Sequence, residues 1–249
     1  MSLAVDINCD LGEGAGNDAL LMPWVSSANI ACGAHAGDLA TMRATVRLAK
    51  QQGVAIGAHP GFEDKEHFGR RELMLSPAEI VALVRAQLEA LCAVARDEGA
   101  VVTHVKPHGA LYNIAARDSV VADAIAEAIV GVDERLWLYG LAGGALTKAG
   151  QARGLKVAAE VFADRTYQDD GSLTPRSRPD ALVAGVGAAV GQVLRMVREG
   201  VVRSVNGRDV PIAADTICVH GDGEHAVEFT RELRAALAAA GVGVRPMVG

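Results

Sequence analysis

Short apolar runs recur along the chain, and most are followed by a stretch in which apolar residues return at helical spacing. The apolar runs predict strands over residues 3–8, 27–32, 54–58, 101–105, 136–139, 156–161 and 215–219. Helical spacing and capping signals predict helices over 17–25, 39–52, 77–94, 118–129, 145–153, 180–199 and 224–239. Asn206-Gly207 predicts a hairpin turn between two further short strands, and residues 241–244 predict a last one.

This alternation of strand and helix predicts an α/β fold with a parallel sheet. No Pro- or Ser-rich linker divides the chain, so we expect a single domain over residues 1–249. About seven βα units suit either an open doubly wound sheet or a closed barrel, and periodicity does not separate these two architectures.

Two of the predicted helices carry clear end signals. Asp38 is typical of an N-cap for the helix 39–52, and Gly53 is typical of the residue that ends it. Ser76, Pro77 and Glu79 have the spacing of a capping box with proline at the first helical position.

Composition limits the functions that the chain can serve. Half of the 249 residues are hydrophobic and 22% are charged, as in globular proteins, and the net charge of −6 argues against nucleic-acid or anionic-membrane partners. No window of about eighteen apolar residues and no signal-peptide pattern occurs. Cys9, Cys32, Cys92 and Cys218 form no CxxC pair, so neither a disulfide framework nor a structural zinc site is indicated. We therefore expect a cytoplasmic protein with reduced thiols.

Polar and charged side chains gather where predicted strands end. They are Asn8, Asp10, Glu13, His35, Asp38, His59, Lys106, His108, Glu160, Asp164, Arg165, His220 and Asp222. Four of the seven histidines are in this set. Because the carboxyl ends of parallel strands meet at one face, we expect these residues to converge, and their chemistry predicts an enzyme.

Each of these residues also has a plain structural interpretation. His35 or His59 could be a core or capping histidine, and Lys106 could be a solvated loop lysine. Arg70 and Arg71 could be exposed charge, or could hold a carboxylate bidentately. Cys32 and Cys218 are nucleophiles by type, although a buried free cysteine usually serves packing. The sequence contains no phosphate-binding loop, no GxGxxG and no GxSxG elbow.

Six sequence blocks together resemble the LamB/YcsF family. They are DINCDLGEG at 6–14, ANIACGAHAGD at 28–38, GAHPG at 57–61, VKPHGALYN at 105–113, EVFADR at 160–165 and CVHGD at 218–222. The resemblance implies a seven-stranded (β/α) barrel of the glycoside hydrolase/deacetylase type. It also implies opening of the 5-oxoproline lactam to L-glutamate, coupled to ATP hydrolysis, as one component of a 5-oxoprolinase with separate B and C subunits.

For that reaction we assign hypothetical roles to the strand-end residues. Asp10 or Glu160 acts as general base, His59 or His108 as acid, and Lys106 stabilises the oxyanion. Arg70, Arg71 or Arg165 pairs with the substrate carboxylate. The other substrate-binding candidates are Asn8, Glu13, His35, Asp164 and His220.

Cofactor and alternative functions follow from the same residues. The missing phosphate loop fits ATP handled with partner subunits. Related deacetylase barrels bind a metal through Asp and His, which makes Asp10, His35 and His59 candidate ligands of a divalent ion. Two alternatives stay open: a non-catalytic subunit that presents substrate, and a stand-alone metal-dependent amidase or sugar deacetylase.

Overall fold

Seven parallel strands close into a barrel in the computed structural model, which describes residues 3–220 and 225–247. The strands are β1 (Ala4–Leu11), β2 (Ser27–Ala31), β3 (Ala55–His59), β4 (Val102–Val105), β5 (Trp137–Leu141), β6 (Lys156–Phe162), β7 (Val201–Arg203), β8 (Asp209–Pro211), β9 (Thr216–Val219) and β10 (Gly243–Val244). The barrel order is β1-β2-β3-β4-β5-β6-β9, and β9 pairs back with β1. Closure settles the choice that periodicity left open, and the expected (β/α) barrel is confirmed.

Helices connect the barrel strands and pack around them. They are α1 (Asp18–Leu21), α2 (Leu39–Gln52), α3 (Pro77–Asp97), α4 (Gly109–Arg117), α5 (Ser119–Val132), α6 (Ala145–Ala152), α7 (Val186–Glu199) and α8 (Ala226–Ala239). The predicted caps are confirmed: the Thr41 amide donates to Asp38 Oδ1 at 2.8 Å, and Ser76 forms a full capping box with Glu79. Gly53 ends α2 with φ +68°. No helix in the described ranges combines the length and the apolar character that a bilayer crossing requires.

Two stretches differ from the predicted helices. The sequence pattern predicts no helix over 109–117, but these residues form α4, which has no side-chain cap and therefore no start signal in the sequence. The Ala110 amide instead donates to the Gly69 carbonyl at 3.0 Å. The helix predicted over 180–199 begins only at Val186, because Gly185 has φ +84° and Leu182 pairs with Arg165 in an antiparallel bridge.

The remaining short elements follow their sequence signals. Strands β7 and β8 pair antiparallel around Asn206-Gly207, with Gly207 at φ +80°. The helix predicted over 17–25 is present as α1 followed by a 3₁₀ turn over Met22–Trp24 that contains Pro23. The predicted last strand is β10, which pairs with β1.

The interior of the barrel is polar, whereas barrels of this kind are usually filled by branched apolar side chains. The buried polar residues there include Asp6, Asn8, Ser27, Asn29, His104, Glu160 and Thr216. They bond across the barrel between strands that are not neighbours: Asn8 on β1 donates to Glu160 on β6 at 2.9 Å. His104 on β4 lies 2.9 Å from Asn29 on β2.

In this interior network, the side-chain amides of Asn8 and Asn29 donate all of their hydrogens to neighbouring oxygens. Asn29 Nδ2 donates to Asn8 Oδ1 and to Asp10 Oδ1, each at 2.8 Å. Asn8 Nδ2 donates to Glu160 Oε1 at 2.9 Å and to Thr216 Oγ1 at 2.7 Å. Because each amide hydrogen has an acceptor, the network fixes the carboxylates that it reaches.

Gly57 makes room for the imidazole of this network. A Cβ at position 57 would lie 2.1 Å from His104 Nε2, so any other residue would displace the ring. The His104 ring also stacks on Tyr139, with centroids 4.3 Å apart.

Candidate active site

A cavity of about 220 Å³ opens at the carboxyl ends of the barrel strands. The predicted residues that line it are Asp10, Glu13, His59, Arg70, Lys106, His108, Arg165 and His220. The predicted residues outside the lining are Asn8, His35, Arg71, Glu160 and Asp164. Two predicted residues fall outside the described residues. They are Asp222 and Glu224, and Glu224 is the predicted first residue of the last helix. The sequence rule that strand ends converge therefore placed most of the candidates around one space.

Three imidazoles surround the Glu13 carboxylate. Glu13 Oε1 lies 3.1 Å from His35 Nε2, 3.2 Å from His108 Nδ1 and 3.7 Å from His59 Nε2. His35 stacks on His108 with ring centroids 3.7 Å apart. Glu13 reaches this position from the loop after β1, where Gly12 and Gly14 both have positive φ.

Backbone carbonyls determine which nitrogens of two of these rings carry hydrogen. His59 Nδ1 lies 2.7 Å from the Lys106 carbonyl, and His108 Nε2 lies 2.9 Å from the Phe68 carbonyl. A carbonyl only accepts, so both nitrogens donate. In the neutral rings the other two nitrogens, His59 Nε2 and His108 Nδ1, then present lone pairs to each other across 2.9 Å. Such a pair needs a shared proton or a cation between the rings.

Charges around the cluster bias its protonation. Burial would lower the pKa of His59, but Asp10, whose Oδ2 is 3.4 Å from Nε2, raises it. Burial would raise the pKa of Glu13, but its contacts with His108 and His35 and the charge of His59 lower it to about 2. Burial and its histidine neighbours lower the pKa of His35 to about 4, against the opposing effect of Glu13. A proton in the cluster therefore resides on His59, beside ionised carboxylates.

Lys106 forms the centre of a second buried cluster. Its Nζ donates to Asn8 Oδ1 at 3.1 Å and to Asp10 Oδ1 at 3.0 Å, and it lies 2.8 Å from Glu160 Oε1. Burial would lower the pKa of Lys106, but Asp10 and the other acidic neighbours raise it well above its usual value. With Cys218 Sγ at 3.1 Å as a fourth acceptor, all three ammonium hydrogens are engaged, so Lys106 fixes the two carboxylates. An oxyanion could be stabilised by Lys106 only if one of these bonds were shared.

The predicted roles change with this geometry. Asp10 faces the cavity, and its pKa is well below the usual range because His59 and Lys106 outweigh the effect of burial. Glu160 is fully buried and contacts Lys106, so it positions Lys106 and does not face the cavity. Asn8 lies in the same buried layer and positions Lys106 and Glu160.

The arginines predicted to hold a carboxylate differ in availability. Arg70 lines the cavity, with its guanidinium 5.0 Å from the centre of the Phe68 ring. Arg71 lies outside the lining and contacts Asp64 Oδ1 at 3.4 Å. Arg165 lines the cavity, but it is buried and donates to the carbonyls of Thr174 and Ala181.

Asp164 holds His220, which also lines the cavity. His220 Nδ1 lies 2.9 Å from Asp164 Oδ2, and His220 Nε2 lies 3.2 Å from a nitrogen of Arg176. Because a guanidinium only donates, Nε2 accepts and Nδ1 donates, which defines the neutral tautomer.

Both strand-end cysteines are poor nucleophiles in this environment. Burial raises the pKa of Cys32 to about 12 and that of Cys218 well above its usual value. Cys218 Sγ lies 3.1 Å from Lys106 Nζ, which favours the thiolate too weakly to offset burial. The packing interpretation of both cysteines therefore holds.

Sequence reasoning missed part of the cavity lining. The missed residues include Tyr112, Asn113, Phe162, Leu173 and Arg176. Tyr112 and Asn113 lie on α4, the helix without a start signal, although both are in the VKPHGALYN block. Arg176 lies in a long polar loop without periodicity, so no pattern distinguished it from Arg178.

The imidazole cluster fits a divalent cation. Ligand atoms of Glu13, His35, His59 and His108 lie within 4.8 Å of one another, and imidazole and carboxylate are common zinc ligands. His59 and His108 each donate from the other ring nitrogen to a backbone carbonyl, a contact that commonly orients metal-binding imidazoles. This set differs from the ligands suggested by the sequence, because Glu13 and His108 join it and Asp10 does not.

The comparisons with known proteins agree with these features. The 5-oxoprolinase A subunit of Geobacillus thermodenitrificans is 56% identical over 247 residues, which cover 98% of this chain and 96% of that protein. The crystal structure of the lactam utilization protein from Thermus thermophilus has a TM-score of 0.93 at 46% identity, covering 98% of this chain and 99% of that one.

More distant structures share the fold alone. The catalytic domain of a peptidoglycan N-acetylglucosamine deacetylase from Eubacterium rectale has a TM-score of 0.53 at 12% identity, covering 100% of this chain and 90% of that one. The model of the LamB/YcsF family matches residues 5–249. The chain is therefore a member of the LamB/YcsF family.

Proposed function

We propose that this chain opens the lactam ring of 5-oxoproline to L-glutamate, as the A subunit of an ATP-dependent 5-oxoprolinase. The observation that carries the proposal is the cavity, in which an ionised carboxylate, a pair of imidazoles that need a shared proton and cationic side chains face one small space. The relatives that are named as the A subunit of 5-oxoprolinase, at about the same length as this chain, support the choice of substrate.

The chemistry is a hydrolysis of an unstrained amide. Water adds to the lactam carbonyl carbon, the C–N bond breaks, and the nitrogen leaves as the amine of glutamate. Asp10 accepts the proton from the attacking water, since it is ionised and faces the cavity. The proton shared by His59 and His108 goes to the leaving nitrogen. Lys106 keeps Asp10 ionised and oriented.

Amide resonance makes the lactam carbonyl a poor electrophile. ATP hydrolysis supplies both the activation of this carbonyl and the free energy that drives ring opening. Transfer of the terminal phosphoryl group of ATP to the lactam oxygen, with release of ADP, would make the ring carbon a better electrophile. Addition of water and cleavage of the C–N bond would then leave an acyl phosphate, which a second water would hydrolyse to glutamate and inorganic phosphate. We assign nucleotide binding to partner subunits B and C, because the sequence has no phosphate loop. The cavity of about 220 Å³ is also smaller than the roughly 300–1,000 Å³ of pockets for drug-sized ligands.

The imidazole cluster favours a second candidate, a metal-dependent amidase that works without ATP. Glu13, His35, His59 and His108 would hold a divalent ion. When bound there, the ion would supply Lewis-acid polarisation of the amide carbonyl. Asp10 would keep its role as base, since it lies outside the ligand set.

A turnover assay with Asp10→Asn tests the proposal. Glutamate release from 5-oxoproline would be measured with and without ATP, for the chain alone and with partner subunits. The variant should lose about 10²–10⁴-fold in turnover, because the amide cannot take the proton. Asp123→Asn is the matched control, since Asp123 pairs with Arg153 on the exposed surface.

Three outcomes separate the candidates. Turnover that requires ATP and fails in Asp10→Asn supports the proposed reaction. ATP-independent turnover that stops on chelation favours the amidase. Full activity of Asp10→Asn in the assembled enzyme would mean that the chain only presents substrate or that Asp10 is not the base.

A further inference from the structure

Arg176 makes a contact at the cavity wall that the proposed reaction does not use. Its guanidinium donates to His220 Nε2 at 3.2 Å, and its side chain lines the cavity while remaining exposed. Within the described part of the chain, no carboxylate forms an ion pair with Arg176. Arg178, two residues further along the same loop, pairs bidentately with Asp180 at 2.8 and 2.7 Å.

A neutral imidazole is a poor partner for a guanidinium. It offers a single lone pair, whereas a carboxylate offers two oxygens that match the guanidinium fork and an opposite charge. A carboxylate that enters the cavity would therefore replace His220 as the partner of Arg176.

The position of Arg176 suits binding of the substrate carboxylate while the lactam amide lies at Asp10. The Phe162 ring lies near both Lys106 and His220, with its centre 5.8 Å from Lys106 Nζ and 5.8 Å from the centre of the His220 ring. A lactam amide at Asp10 would place its ring methylenes against Phe162 and its carboxylate towards Arg176. Arg165, the other arginine at this wall, already donates to two backbone carbonyls.

We propose that Arg176 selects substrates that carry a carboxylate, by leaving His220 and pairing with that carboxylate when the lactam binds. This inference rests on the proposed function, because it takes the bound molecule to be a γ-lactam acid. Recognition of the carboxylate would also change the environment of His220. Once Arg176 has moved, His220 Nε2 faces the substrate while Nδ1 keeps its hydrogen bond to Asp164.

Binding measurements with Arg176→Gln test the inference. The full-length chain would be titrated calorimetrically with 5-oxoproline and with its carboxamide, in which the carboxylate is replaced by a neutral amide. The wild-type protein should prefer 5-oxoproline by about ten- to a hundred-fold, the range expected for a hydrogen bond to a charged group. Arg176→Gln should lose that preference by binding 5-oxoproline more weakly.

Arg178→Gln is the matched control, because it removes the same charge from the same loop without touching the cavity. It should retain the wild-type affinity and preference. A guanidinium-specific role also predicts that Arg176→Lys recovers only part of the affinity. In turnover assays, Arg176→Gln should raise KM much more than it lowers kcat.

The outcomes distinguish failure of this inference from failure of the proposed function. If wild-type and Arg176→Gln proteins bind 5-oxoproline equally, or if the variant keeps its preference over the carboxamide, Arg176 does not recognise the carboxylate. If the wild-type chain neither binds nor turns over 5-oxoproline, alone or with partner subunits, the proposed function is refuted and this inference with it.

Discussion

His104 makes the barrel interior sensitive to acid. Burial, together with the positive charges of Lys106 and His59, lowers its pKa to about 3. Its Nε2 lies 2.9 Å from Asn29 Oδ1, and its Nδ1 lies 3.0 Å from Thr103 Oγ1, whose hydroxyl donates to the Ile56 carbonyl at 3.1 Å. Protonation would place a positive charge inside the barrel, near the positive charges of Lys106 and His59.

The sign and size of the effect follow from linkage. The unfolded chain binds a proton at His104 below a pKa of about 6.5, whereas the folded chain does so only below about 3. Stability from the neutral ring is therefore complete above about pH 6.5 and is lost as the pH falls towards 3. At about pH 4.5 the two pKa values imply a loss of roughly 2–3 kcal/mol, at about 1.4 kcal/mol per pH unit.

Urea unfolding of wild-type and His104→Gln proteins measures this term. The glutamine keeps an amide donor for Asn29 but does not titrate. Between about pH 7 and pH 4.5 the wild-type free energy of unfolding should fall by about 2–3 kcal/mol more than that of the variant. Other acidic groups titrate in both proteins and cancel in this difference. Identical pH dependence in the two proteins would refute the reasoning.

Three further predictions concern the barrel and the cluster. Gly57→Ala should lower the free energy of unfolding by about 1–3 kcal/mol in urea titrations, because its Cβ would lie 2.1 Å from His104 Nε2; an unchanged midpoint would contradict this. Lys106→Met should cost about 3–5 kcal/mol by the same assay, since it leaves buried carboxylates unpaired, and adding Glu160→Gln should recover part of the loss. Added zinc should raise the thermal midpoint of the wild-type chain, and His59→Ala should abolish that shift whereas His67→Ala should not.

The sequence was sufficient to predict which strand ends carry the site. Asp10, His59 and Lys106 lie at or just after the ends of three different strands, and the parallel arrangement brings these ends together. That inference needed only the order of the strands, because each strand exit of a parallel barrel opens on the same face.

The roles of individual side chains could not be predicted in the same way. Glu160 and Arg165 lie near the end of a strand as Asp10 does, yet Glu160 is fully buried against Lys106 and Arg165 bonds to backbone carbonyls. These residues differ in their depth along the barrel axis, and this depth depends on the register between neighbouring strands. Asp6, Asn8 and Asp10 do alternate with apolar residues in β1, but polar residues facing a barrel interior oppose the usual apolar filling.

Asp10 and His59 lie at the ends of strands and His108 directly precedes α4, whereas Arg70 and Arg176 project from the long loops of the chain. Loops tolerate insertion and replacement far better than barrel strands do. The arginines that would recognise an anionic group of the ligand could thus be replaced during evolution, or by engineering, without changing the residues proposed to act in bond cleavage. Under the proposed function, libraries confined to those two loops would be a direct route to enzymes for other cyclic amides.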